Sequence, residues 1–290
     1  MKTFIPLILI ITMFICLSGC SDTSGDIASI IAGKQYIHEL PAERSHLRIG
    51  VLAGPYADMV TQIIEPALIS KGYTVEMILF TEWDAPNFAL ADGDIDLNLF
   101  QHNVFLNNFK SEYDKELSAI AEIPTASMVL LSERFDSLND IETGASIALP
   151  NDATNLARAL RILREAGIIS LNTETDITRV TLDDITGNPL ELKFNLVDGF
   201  GLYAEQISGS DAVVISGGRA YASGINLAEA LYNEDLRDGF KIVAAVRTED
   251  LARQYVHDLL AVIHSDEFKN AVTAADSPFS GFQRPHYFFD

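Results

Sequence analysis

From Leu47 onward, short apolar runs alternate with longer stretches whose apolar residues recur at helical spacing. The runs are Leu47–Leu52, Val75–Phe80, Ile95–Phe100, Ser127–Leu131, Ser146–Leu149, Leu192–Val197, Ala212–Ile215 and Ile242–Val246, each of strand length. Between them the pattern predicts helices over 57–70, 85–91, 102–110, 153–166, 201–207, 225–231, 249–264 and 266–274. This alternation predicts an α/β fold with largely parallel sheets. Two helices carry clear punctuation. Asn151 and Asp152 offer caps ahead of the stripe Leu156, Leu160 and Leu163, and Gly167 stops that helix. Thr248-Glu249-Asp250 opens another through Leu251, Tyr255, Leu259 and Val262. The polar, turn-rich string at 133–141 is a place for a second domain to begin, and 238–246 a place for the chain to return. No repeat at a solenoid period and no low-complexity tract interrupts this order.

The first residues follow a different pattern. Lys2 precedes an almost unbroken apolar run, Phe4 to Leu17, closed by Leu17-Ser18-Gly19-Cys20. Such a run falls short of the roughly 20 residues of a spanning helix, and residues 1–19 read as a signal peptide. Cleavage before Cys20 leaves a thiol at the new N-terminus, and the string looks like a bacterial lipobox. Residues 20–45, polar and without periodicity, read as a tether between lipid and domain. The chain has 2 cysteines, Cys16 and Cys20, so the mature protein would keep one, with no intrachain disulfide and no cysteine metal site. About 270 residues then remain, enough for two modest domains.

Charge narrows the partners. A net charge of −21 leaves no basic stripe for nucleic acid and no attraction to an anionic bilayer. The lipid itself must hold the protein at the cell membrane, facing the periplasm or the cell exterior, and stable anchoring takes more than one acyl chain.

Catalytic constellations are missing. Val214-Ile215-Ser216-Gly217-Gly218 lacks the first glycine of a nucleophile elbow, and His257 and His264 have no metal-ligand spacing. Gly199-Phe200-Gly201 has no third glycine for a phosphate loop, and the carboxylate clusters follow from an acidic composition. The expectation is a protein that is not an enzyme, with no cofactor and no metal. Three segments suggest a ligand pocket instead. Trp83, the chain's 1 tryptophan, follows an apolar strand and reads either as a cleft wall or as a partly buried core residue. The Phe100-Gln101-His102 string lies where a parallel strand should end, the usual ligand edge of an α/β sheet, though a lone histidine is more often structural. Arg158 sits in the first turns of its helix, opposite the leucine stripe, positioned either for a carboxylate or for solvent.

Taken in order, Gly50-Val51-Leu52-Ala53-Gly54-Pro55, Gly93-Asp94-Ile95-Asp96, Phe100-Gln101-His102, Pro150-Asn151-Asp152-Ala153-Thr154-Asn155-Leu156-Ala157-Arg158-Ala159-Leu160 and Arg247-Thr248-Glu249-Asp250 resemble the MetQ-type methionine-binding lipoproteins of the NlpA lipoprotein family. Members are the substrate-binding components of methionine ABC importers. The resemblance implies a bilobed, periplasmic-binding-protein-like α/β fold, two mostly parallel sheets with a hinge and two crossovers. Lobe 1 would comprise 46–134 plus 245–290 and lobe 2 would comprise 135–244. It also implies a lipid-anchored protein that binds methionine or a related small carboxylate between the lobes and delivers it to a permease with its ATPase. By position, Trp83 stands where the family usually has a tyrosine wall, Phe100 and His102 in its pocket-lining segment, Asn155 in the same motif as the arginine, and Arg158 where that arginine grips the ligand carboxylate.

Two positions depart from the family. Its methionine binders carry an Asn-rich string where this chain reads Ile215-Ser216-Gly217-Gly218, and a further Asn where it reads Phe240-Lys241-Ile242. Losing a buried amide partner typically costs about 1–3 kcal/mol. Either Asp198 or Ser216 could substitute, or the ligand could differ at its amino end. A surface lipoprotein of the same fold with another ligand, or with an adhesion or envelope role, is the alternative reading.

Overall fold

The computed structural model describes residues 45–237 and 239–289; the expected signal peptide, Cys20 and nearly all of the tether lie outside the described residues. Along the chain run strands β1 (His46–Leu52), β2 (Thr74–Phe80), β3 (Leu97–His102), β4 (Leu117–Glu122), β5 (Val129–Ser132) and β6 (Ser146–Pro150). They are followed by β7 (Ser170–Leu171), β8 (Ile185–Gly187), β9 (Lys193–Val197), β10 (Ala212–Ile215), β11 (Tyr232–Asn233) and β12 (Ile242–Arg247). Two five-stranded sheets result, ordered β2-β1-β3-β12-β4 and β11-β5-β10-β6-β9, with β7 and β8 pairing separately.

Both sheets are mixed, each with a single reversed strand. β1 runs parallel to β2 and β3, whereas β12 is antiparallel to β3 and β4. In the second sheet β6 runs parallel to β9 and β10, whereas β5 is antiparallel to β10 and β11. The reversed strands, β12 and β5, are the ones the chain enters on passing from one sheet to the other. No helical return within the sheet precedes them, and such a return is what brings successive strands parallel.

Sheet membership departs from the expected lobe ranges at both passages. β5 falls within 46–134 yet pairs in the second sheet, and the start of β12 falls within 135–244 yet pairs in the first. The polar string at 133–141 marks the turn after β5; the passage itself is Ile123–Met128, whose small and apolar residues give no compositional signal. The two passages run side by side. Ile123 N donates to Ile242 O at 2.8 Å, and Ile242 N donates to Thr125 Oγ1 at 2.8 Å. Thr125 and Gln283 exchange two backbone hydrogen bonds, each 2.9 Å, and the Gln283 amide donates to Ser127 Oγ and to Glu234 O.

Helices also differ in places. The stretch expected at 57–70 is Pro55–Met59, a π segment Val60–Ile64, and Glu65–Ser70. Pro66 lacks an N–H, and its ring crowds the carbonyl four residues back, so a wider turn ahead of it relieves both. The helix expected at 225–231 is only a 3-10 turn, Leu227–Glu229, and an unpredicted helix, Gly217–Ala222, begins directly after β10. The helix expected at 249–264 separates into a 3-10 turn, Thr248–Asp250, and Gln254–Ile263.

Two main cores sit on the sheets. Leu47, Ile49, Val51, Leu97 and Leu99 pack with Tyr255, Leu259 and Val262, while Ile147, Leu149 and Val214 pack with Leu156, Leu160 and Leu163 as the leucine stripe predicts. The Ala153–Glu165 helix is nevertheless buried on every side, from Thr154 to Leu163. That removes Arg158 from solvent.

Candidate functional site

The carboxyl ends of β1, β3 and β10, the first turns of the Ala153–Glu165 helix and the two passages between the sheets surround one cavity, with about 620 Å³ of empty space counting its mouth. Strand carboxyl ends are where open α/β sheets hold ligands. Of the expected site residues, Trp83, Phe100, His102, Asn155, Arg158 and Ser216 line it. Asp198 does not; it is exposed and accepts a hydrogen bond from Phe200 N at 2.9 Å. Its adjacent loop does reach the site through Phe200, whose ring meets Trp83 edge-on at 5.4 Å.

The aromatic wall is continuous. Trp83 is 6.4 Å from Phe105, and Phe105 is 6.3 Å from Phe100 and 6.2 Å from His102, between ring centroids. His102 caps the helix Asn103–Tyr113: its Nδ1 accepts from Phe105 N at 3.1 Å. The ring proton therefore sits on Nε2, which faces Asn155 Oδ1 at 3.4 Å. Burial, with Arg158 nearby, lowers the His102 pKa to about 3, so the imidazole stays neutral. Asn155 is fixed in turn, its Nδ2 donating to both Asp152 oxygens at 3.1 Å while Asp152 caps the helix. Beneath Phe100, the buried amides of Asn87, Asn98 and Gln101 bond to one another.

Arg158 is 4 % exposed and already holds a carboxylate. Its Nε donates to Glu234 Oε1 at 2.8 Å and Oε2 at 2.9 Å, and its Nη2 also reaches Oε2. Arg161, fully buried one turn on, bonds to Oε1 of the same Glu234. Phe240 closes this group, its ring 4.5 Å from the Arg161 guanidinium and 5.4 Å from that of Arg158. Where the family resemblance implies an amide, this chain turns an aromatic face to two cations.

The other departure has a steric side. A Cβ on Gly217 would stand 2.2 Å from Ser127 O and 2.7 Å from Ala126, so no side chain fits there. Ser216 caps the helix Gly217–Ala222, accepting from Arg219 N at 3.4 Å. Arg219 then enters the lining; its Nη1 donates to Ala53 O at 3.1 Å, and its guanidinium lies 4.7 Å from the Phe200 ring. Sequence reasoning missed both Arg219 and Glu234. Ser216-Gly217-Gly218, a capping residue ahead of glycines, was the available signal for the first; nothing local marked the second.

Comparison with known proteins agrees with this geometry. Residues 47–285 match the family model described as NlpA lipoprotein. The D-methionine-binding lipoprotein MetQ of Escherichia coli K12 is 28% identical over 240 residues, spanning 82% of this chain and 87% of that protein. Among solved structures, a nutrient binding protein from Burkholderia cenocepacia bound to methionine is 29% identical, with a TM-score of 0.73 over 79% of this chain and 95% of its own. An ABC transporter periplasmic substrate-binding protein from Coxiella burnetii is 30% identical, with a TM-score of 0.75 over 82% of this chain and 100% of its own.

Proposed function

Because this chain belongs to the NlpA lipoprotein family, we propose that it is the lipid-anchored, non-enzymatic binding component of an ABC importer and receives methionine or a related small carboxylate in the cavity between its two sheets. The observation that carries this is the joining, in one cavity at the strand carboxyl ends, of an aromatic wall and the Arg158 guanidinium. Apolar rings suit a ligand's tail, and buried guanidinium donors suit its carboxylate. Each sheet with its helices forms a lobe, and the paired passages act as a hinge about which the lobes close on the ligand and open to release it to the permease. No helix among the described residues is long and apolar enough to cross a membrane, and Cys20 would supply the attachment through its lipid.

Mass spectrometry of what the purified protein releases on denaturation tests the ligand class, followed by calorimetry of the refolded protein with methionine. Release of a small carboxylate, or saturable methionine binding, is the expected result. No release and no binding would overturn the reading. Cys20→Ser should lose membrane association; a variant still partitioning with membranes would refute the anchor.

A further inference from the structure

We infer that the cavity is built for a small carboxylate without an α-ammonium group, and that Arg219 is a second anchor for its anionic end. This rests on the cavity being the ligand site, as proposed above.

Charge comes first. Two arginines, Arg158 and Arg219, line the cavity, and no Asp or Glu does. Glu234 lies behind the lining at 1 % exposure and is fully engaged: besides both guanidiniums, its Oε2 accepts from Met128 N at 3.2 Å. One carboxylate shared by Arg158 and Arg161 leaves that trio one net positive charge, and Arg219 adds another; the nearest balancing carboxylates, Glu165 at 3.9 Å from Arg161 and Asp198 and Glu205 near Arg219, are not in the lining.

Hydrogen-bonding capacity points the same way. Arg219 is 7 % exposed, and its Nε is buried with no hydrogen-bond partner among the described residues. Trp83 Nε1 is in the same condition, and both side chains contact Phe200. Two residues of the lining thus each carry a buried, unpaired donor nitrogen, a state that folded proteins keep rare because each costs free energy. The side-chain acceptors, by contrast, each already have a donor, the Tyr56 hydroxyl among them, which accepts from Ala126 N at 3.3 Å. Asn155 Oδ1 faces His102 Nε2, Gln101 Oε1 accepts from Asn87, Thr125 Oγ1 accepts from Ile242 N, and Ser216 Oγ from Arg219 N. An ammonium would carry three donors and a like charge into this setting, and burying it there is costly. A carboxylate without one brings only acceptors.

The test compares methionine with its 2-hydroxy analogue, which keeps the tail and carboxylate and replaces the ammonium by hydroxyl. Calorimetry on the refolded wild type should show the analogue binding about tenfold tighter or more. Arg219→Gln should weaken both compounds, since both carry the carboxylate, but methionine less, since its ammonium is relieved of a like charge; Arg219→Lys should restore part of the difference, with melting temperatures recorded for each. If Arg219 merely latched the two lobes, Arg219→Gln would weaken both compounds by the same factor, and its anchoring role would fall. Methionine binding as tightly as the analogue, or tighter, overturns the inference while leaving the importer reading intact. The molecule released on denaturation is an independent check: a carboxylate lacking an ammonium supports the inference, and a zwitterionic amino acid overturns it. Binding of neither compound, with nothing released, removes both readings.

Discussion

Two buried arginine–carboxylate clusters stand in different surroundings. Near the end of β12, Arg247 pairs with Asp250 and lies 3.7 Å from Asp96, while Arg48 reaches Asp96 at 3.3 Å and Arg253 also binds Asp250. Other donors find backbone: Arg247 Nη1 bonds to Leu90 O and Ile95 O, and Arg48 Nη2 to Gly93 O, while Arg247 Nη2 has only its ion-pair contacts. Tyr255 Oη adds a donor to Asp250 at 3.1 Å, and burial and the nearby charges push its own pKa up. Its centre, Asp96, Arg247 and Asp250, is buried while Arg48 and Arg253 reach the surface, and its partners come from β1, β12 and the segments around them. The Arg158–Arg161–Glu234 cluster has the same chemistry with one carboxylate fewer, and Arg158 opens onto the cavity. Arg161 Nε and Nη1 have no hydrogen-bond partner among the described residues, and burial lowers its pKa. The first cluster fixes chain geometry. Each cluster has one arginine more than carboxylates, so place separates them: the one beside the cavity is the one we propose leaves positive charge for a ligand.

Substitutions separate the two. Asp250→Asn and Glu234→Gln should each cost about 3–5 kcal/mol of stability in urea unfolding, since each leaves buried guanidiniums without their carboxylate. Only Glu234→Gln should change ligand affinity, tightening carboxylate binding as two guanidiniums are released beside the cavity. Equal effects of the two on binding would erase the distinction.

Arg158→Ala should weaken carboxylate binding by about 2–5 kcal/mol in calorimetry, with Lys a partial rescue. With Glu234 then held only by Arg161 and Met128 N, a lowered melting temperature is expected as well. Unchanged affinity would reduce Arg158 to a partner of Glu234.

Acid should act through His102. Its pKa in the folded protein is lowered to about 3 from an ordinary 6.5, so below pH 6.5 the unfolded chain binds a proton that the folded one refuses. Its contribution is intact above that pH and is lost as pH falls, at up to about 1.4 kcal/mol per unit, until the folded pKa is reached. Unfolding free energies between pH 7 and about 4, compared between wild type and His102→Gln, should diverge with this slope; parallel curves would count against a buried neutral imidazole.

The smallest effect concerns Trp83. As the chain's 1 tryptophan, it should report ligand binding through its emission. Trp83→Phe should cost about 1 kcal/mol or less, because the Nε1 it deletes has no partner to lose. Emission indifferent to a saturating ligand would place the ligand elsewhere.

Periodicity and punctuation made much of this protein legible. β1, β2, β6, β9 and β10 lie where apolar runs placed them; for β1, β6 and β10 burial on both faces leaves an uninterrupted apolar signal, while β2 and β9 are partly exposed edge strands. The Ala153–Glu165 helix begins at its expected cap for a similarly local reason: Asp152 accepts from Asn155 N three residues on. Gathering Trp83, Phe100, His102, Asn155 and Arg158 at one cavity required the family resemblance as well, since spacing alone left each between pocket and structure. Three things were decided only in three dimensions. The passage between sheets at Ile123–Met128 has no polarity change, so the visible turn at 133–141 drew the expected boundary too late. Glu234 meets Arg158 across 76 residues of sequence, a separation at which nothing local signals pairing. Arg219 reaches the cavity only because Gly217 lets the backbone press against Ser127, a contact that exists once β10 is seated beside β5. Local rules wrote the strands, the caps and the stripes; which charges meet, and which are left open to a ligand, depends on long-range packing that no window of sequence contains.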